Sequence, residues 1–147
     1  MATGVGSPST KEIDFVTIAT TGNGQDFGDT TVIQGGAGAS NSTRAIFAGG
    51  YVVPAKGNVI EFATIATLGN SVDFGDLTSA RRGLGGAASS TRACFAGGDA
   101  PGDVNIIDFI EIATTGNASD FGDLTLASSS NGKKKNVSGC SNGHGGL

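Results

Sequence analysis

The stretch Ile13-Asp14-Phe15-Val16-Thr17-Ile18-Ala19-Thr20, followed after Thr21-Gly22-Asn23 by Asp26-Phe27-Gly28-Asp29, comes back twice in this chain. Its counterparts run from Ile60 to Thr67 with Asp73-Phe74-Gly75-Asp76, and from Ile107 to Thr114 with Asp120-Phe121-Gly122-Asp123, each displaced by 47 residues. A second block, Ser42-Thr43-Arg44-Ala45-Ile46-Phe47-Ala48-Gly49-Gly50, returns at Ser90 to Gly98 one residue out of phase. That slip places a single insertion in the preceding loop, where length is tolerated. Self-similarity at a fixed period of this size is the signature of a repeat architecture. The 147 residues divide into units of about 7–50, 51–98 and 99–147 within one repeat domain.

Each Ile-acid-Phe run is six β-prone residues bounded by Gly and Asn, which predicts a strand and not a helix. Alternation puts Ile13 and Phe15 on one face and Val16 and Ile18 on the other, so these strands need cover on both sides. The rest of a unit reads as a strand ending in Gly-Gly (Ala45 to Gly50), a short strand around Phe27 to Val32, and a small-residue strand around Gly83 to Ala88. Turn signals separate them. The expectation is an all-β fold with one four-stranded sheet per unit, in which Phe27, Phe74 and Phe121 are buried and their flanking Asp residues cap turns.

Composition narrows the function. Hydrophobic residues make up 37% and charged residues 15%, with 26 glycines and a net charge of -4. The low net charge and recurrent Val, Ile, Thr and Phe argue for a folded chain and against disorder. An acidic chain without a broad basic stretch is a poor partner for nucleic acid, and Lys133-Lys134-Lys135 reads as a solvated loop. No run approaches the roughly 20 apolar residues of a membrane helix, and no signal peptide is expected. Cys94 and Cys140 are too few for a disulfide framework and lack CxxC spacing, so both read as free thiols.

The strands ending at Gly49-Gly50 and Gly97-Gly98, the loop of variable length after each, the aromatic strand residues Phe62 and Phe109, and Phe74 followed by Arg81 resemble the kelch blade of β-propellers. In that family each repeat is one four-stranded blade. The chain departs from the pattern in carrying Phe where kelch blades usually have Trp, and its third unit lacks the Arg and most of the Gly-Gly strand. More closely, Thr-Ile-Ala-Thr-Thr-Gly-Asn with Asp-Phe-Gly-Asp-Leu-Thr, and the ending Cys140 to Leu147, resemble repeats in virion and tail-fibre-like proteins of bacteriophages of cyanobacteria and other aquatic bacteria.

The resemblance implies a kelch-like half propeller, because closed propellers have about four to eight blades and three units are present. Thr3 to Gly6 resembles the end of a Gly-Gly strand, and Val137 to Leu147 the beginning of a further blade. Val5, Val137 and Leu147 therefore mark assembly ends, expected to be ordered and paired. Two copies head to tail would give a six-bladed ring without free edges. The alternative is a self-closed threefold body of β-prism or trefoil type.

Several motifs bear on chemistry. Asp-Phe-Gly belongs to kinases only beside a phosphate loop, a strand Lys and a His-Arg-Asp loop, none of which is present. Asn23, Asp26 and Asp29 could surround calcium, but Asn and Asp also form turns without it. Neither glycine run continues into Gly-Lys-Ser/Thr, and His144 has no nucleophile or ligand cluster beside it. No catalytic residue, metal or cofactor is assigned. Arg44 and Arg92, at equivalent positions, are expected to donate hydrogen bonds between sheets. The candidate ligand loops are Tyr51 to Gly57 and Asp99 to Val104, with Tyr51, Lys56, Asp99 and Asp103 as the candidate contacts, since variable loops on a rigid scaffold carry recognition.

The function expected is a phage-type structural or adhesion protein, a virion decoration or fibre component made in the host cytoplasm. It would be a homo-oligomer that meets other virion proteins or a cell-surface glycan, with no membrane insertion. Two other readings are a self-assembling scaffold without ligand and a lectin or propeller enzyme.

Overall fold

Alternating β-branched and aromatic residues do fold as strands. The computed structural model describes residues 2–3, 11–31, 34–52, 54–100, 104–125 and 136–141, and every regular element among them is β. The first sheet pairs β1 (Ala2–Thr3), β2 (Glu12–Phe15) and β3 (Gln25–Asp29) in that order. A second begins with β4 (Ala37–Ser40) and β5 (Arg44–Ala48), is interrupted by a small hairpin of β6 (Tyr51–Val52) and β7 (Ala55–Lys56), and continues with β8 (Val59–Thr64) and β9 (Val72–Asp76). The third runs through β10 (Gly85–Ala88), β11 (Arg92–Ala96), β12 (Ile106–Glu111) and β13 (Ser119–Asp123). All neighbours are antiparallel, so each sheet is a meander.

The four-stranded sheets do not begin where the sequence units do. Each straddles a unit boundary, because the Gly-Gly strand that closes one unit pairs with the Ile-acid-Phe strand that opens the next. The β6–β7 hairpin lies in a stretch read from sequence as a plain loop.

The Asp-Phe-Gly-Asp motif has one structural cause at all three places. Ile13 pairs with Gly28 while Asp14 pairs with Asp26, so Phe27 is the extra residue of a β-bulge. Phe74 and Phe121 are extra in the same way opposite Ile60/Glu61 and Ile107/Asp108. The following glycines take φ of 147°, 148° and 139°, which residues with a Cβ rarely adopt. The bulge turns each Phe onto its neighbour, giving edge-to-face pairs Phe15–Phe27, Phe62–Phe74 and Phe109–Phe121 at 6.0, 6.0 and 5.9 Å.

Adjacent sheets are joined by one set of contacts used twice. Between the first and second, Gly69 and Ser71 N–H groups donate to the Phe27 and Asp29 carbonyls, both at 2.8 Å, and the Asp29 N–H donates to Asn70 Oδ1 at 3.0 Å. Between the second and third, Gly116 and Ala118 donate to Phe74 and Asp76, both at 2.8 Å, and Asp76 donates to Asn117 Oδ1 at 3.1 Å. Beneath these bonds lie two cores. Ile13, Phe27, Ala45, Phe47 and Ala63 fill one, and Ile46, Ile60, Phe74, Phe95, Ile110 and Ile112 are central to the larger one. Each fully buried side chain of this size contributes about 1.5–3 kcal/mol.

Two expectations are corrected. Phe27 and Phe74 are 4% and 3% exposed, but Phe121 is 57% exposed, since no further sheet lies beyond β13 among the described residues. Likewise Ile112 is buried while its counterpart Ile18 is 96% exposed and Val16 55%, so the first strand is covered on one face only.

Candidate functional site

The loops singled out by their lack of repetition meet. Gln34 bridges Tyr51 and Arg82 bridges Asp99, in each case continuing the register of the hairpin that ends in Gly-Gly. This carries the two inner strand pairs past their glycines to the same rim of neighbouring sheets. There Lys56 Nζ lies 3.0 Å from Asp99 Oδ2, Arg82 Nε lies 3.8 Å from the same oxygen, and the Arg82 guanidinium stands 5.9 Å from the centre of the Tyr51 ring. The Tyr51 hydroxyl donates to the Pro54 carbonyl at 2.7 Å, which fixes the ring against its own hairpin. Tyr51, Lys56 and Asp99 are half-buried and Arg82 is exposed. Three of the four residues expected from sequence thus converge, while Asp103 lies outside the described residues. Arg82 was missed because only its neighbour Arg81 fits the kelch-like pattern.

The other candidates have structural roles. Arg44 does reach between sheets, donating to the Ile112 carbonyl at 2.6 Å and covering the Phe62 ring at 4.4 Å. Arg92 does not: its partner is Glu111, opposite it in the same sheet, at 2.5 Å, and it stacks over Phe109. The counterparts of Asn23, Asn70 and Asn117, accept hydrogen bonds from the preceding sheet, and Asp120 caps the Gly122 N–H at 3.1 Å. Among the described residues no group of three or more His, Cys, Asp or Glu is placed to hold a metal. Burial pushes the Cys94 thiol up, against the opposing charge of Arg92. Val137 lies beside the Gly83–Gly85 edge, its N–H bonded to the Gly83 carbonyl at 3.2 Å. Val5, Leu147, His144 and Lys133 to Lys135 lie outside the described residues, and no helix among those described is long and apolar enough to cross a membrane.

Sequence reasoning missed the buried acids at the sheet junctions. Asp108 is fully buried, 3.1 Å from the fully buried Arg81, and accepts from Thr78 N and Oγ1 at 3.0 and 2.7 Å. At the equivalent place Glu61 has no cation beside it among the described residues; it accepts from Thr30 Oγ1 (2.6 Å), Thr31 N (2.9 Å), Ser71 Oγ (2.8 Å) and the Thr31 hydroxyl. Burial opposes ionisation of Glu61, yet the hydrogen bonds from Thr30, Thr31 and Ser71 outweigh it and hold the carboxyl below the usual range. The signal was available, since Asp14, Glu61 and Asp108 recur between apolar neighbours every 47 residues.

Set against known proteins, the chain matches no family model and no curated sequence.

Proposed function

We propose that this chain is a repeat-built structural and adhesion protein of bacteriophage type, a kelch-like propeller component of a virion or fibre whose rim loops bind a surface glycan. The observation that carries the reading is the meeting of Tyr51, Lys56, Arg82 and Asp99 from adjoining sheets on one rim. An aromatic face beside ionised hydrogen-bonding groups suits the apolar side of a sugar ring together with its hydroxyls. The meander order and the small inner strands Ala37–Ser40 and Gly85–Ala88 support the blade reading, since inner blade strands must crowd around an axis.

A glycan array probed with the full chain and with Tyr51→Ala and Lys56→Ala variants tests this. Binding reduced about tenfold or more in both variants, with unchanged folding, is the expected result. Binding that both variants retain would place recognition elsewhere, and no binding to any glycan would reduce the role to assembly.

A further inference from the structure

The two outer faces of the three-sheet body are unsatisfied copies of its inner junctions. On the third sheet Phe121 is exposed where Phe27 and Phe74 are buried. On the first, Val16 and Ile18 are exposed where the equivalent Ile110 and Ile112 are buried. Asn23 repeats the Asn70 and Asn117 that accept a hydrogen bond from the preceding sheet. One face therefore offers what the other requires.

A cavity of about 560 Å³ marks the remaining gap. It is lined on the first sheet by Phe15 and Phe27, on the second by Phe47 and Ile65, and by Gly38 and Gly139 of the innermost segments. Among the described residues the first sheet has no inner strand equivalent to β4 and β10, and Ile65 is 39% exposed where Ile112 is fully buried. The glycines of the inner strands show what belongs there. A Cβ on Gly86 would lie 2.4 Å from the Gly38 carbonyl oxygen, and one on Gly139 would lie 2.2 Å from that of Gly86. Gly38, the first in this series, meets nothing within 4 Å among the described residues and has no positive φ to explain it. In this series the neighbour that Gly38 would have is the carbonyl of one more inner strand.

We propose that a second copy of this chain supplies it: the partner copy's segment 136–141 lies along β1 with its Gly139 over Gly38, while the partner copy's Phe121 covers Val16 and Ile18. In this register Gly22 and Gly24 donate to the partner copy's Phe121 and Asp123 carbonyls, and Asn23 accepts from its Asp123 N–H. The docking continues the internal junctions residue for residue. By two-fold symmetry each copy completes the other, and two copies make six sheets, the only multiple of three within the usual range of about four to eight blades. This rests on reading the sheets as blades and is independent of any glycan.

Native mass of the 147-residue chain, measured by light scattering, tests it. The expected mass is twice 14.4 kDa, falling to one chain in Phe121→Asp and in Ile18→Asp while the β circular dichroism spectrum is kept. Val72→Asp, at an exposed apolar residue outside these faces, should leave the dimer intact. A second measurement covers loss of folding: in a Cys94→Ala, Cys140→Ala background, Thr3→Cys with Ser138→Cys should yield a disulfide between chains. A monomer, an open-ended polymer, a disulfide within one chain, or a dimer that both end variants leave whole would overturn the proposal. Glycan binding by a monomer would overturn the docking and leave the rim site standing.

Discussion

Asp108 and Arg81 are both fully buried, and the sheet junction they close is held as much by what each would become alone as by their attraction. Removing one partner leaves an uncompensated charge, which costs about 3–5 kcal/mol. Arg81→Ile should therefore lower stability by about that amount, as read by denaturant unfolding. The first junction solves the same problem without a cation among the described residues: Thr30 and Ser71 stand where Leu77 and Ala118 stand in the second, around Glu61 in place of Asp108, and the sequence repeat matches Arg81 with an isoleucine. Combining Arg81→Ile with Asp108→Glu, Leu77→Thr and Ala118→Ser should recover much of the loss. If the combined variant is no more stable than Arg81→Ile, the two junctions are not interchangeable. Glu61 also predicts a pH dependence. Its folded-state pKa is held below that of an unfolded glutamate, about 4.3, so the unfolded chain binds more protons in this range. The stabilisation is complete above the unfolded value and is lost as pH falls through the folded one. Glu61→Gln should flatten this acid limb of a stability-against-pH curve, and a limb of unchanged steepness would assign it to other carboxylates.

At the scale of elements, the bulge that aims Phe74 into the core makes it a keystone of two sheets at once. Phe74→Ala should cost about 3–5 kcal/mol. Phe121→Ala in a dissociated copy should cost no more than the loss of its pair with Phe109, about 0.5–1.5 kcal/mol; equal costs would contradict the exposure difference between them. The strands at Ile13, Ile60 and Ile107, the Gly-Gly ends and the small inner strand were legible, because backbone conformation follows local pattern. Burial was not, because Phe27, Phe74 and Phe121 share one local sequence and differ only in whether another sheet follows. The sheet boundaries escaped for a related reason, since pairing joins the end of one unit to the start of the next. Tyr51, Lys56 and Asp99 could be named from sequence as loop residues, but their meeting depends on the way neighbouring sheets align, and Arg82 carries no mark of its role until that alignment is known.

For the whole molecule, the dimer proposed above would cover both open faces and the cavity together, and it would fix the shape. If the sheets are blades, the exposed apolar residues Val16, Ile18 and Phe121 are halves of two further junctions that a partner's identical faces complete; the rim cluster of Tyr51, Lys56, Arg82 and Asp99 then occurs twice on one particle, on opposite sides of a common axis. Such a particle would engage a surface glycan at two points, raising apparent affinity through effective concentration. The central claim is that these sheets are blades arranged around one axis, and averaged electron-microscope images of the native particle test it most directly. The account predicts a six-lobed ring with two-fold symmetry around a central channel; a closed three-lobed body, or sheets stacked without a common axis, would contradict it.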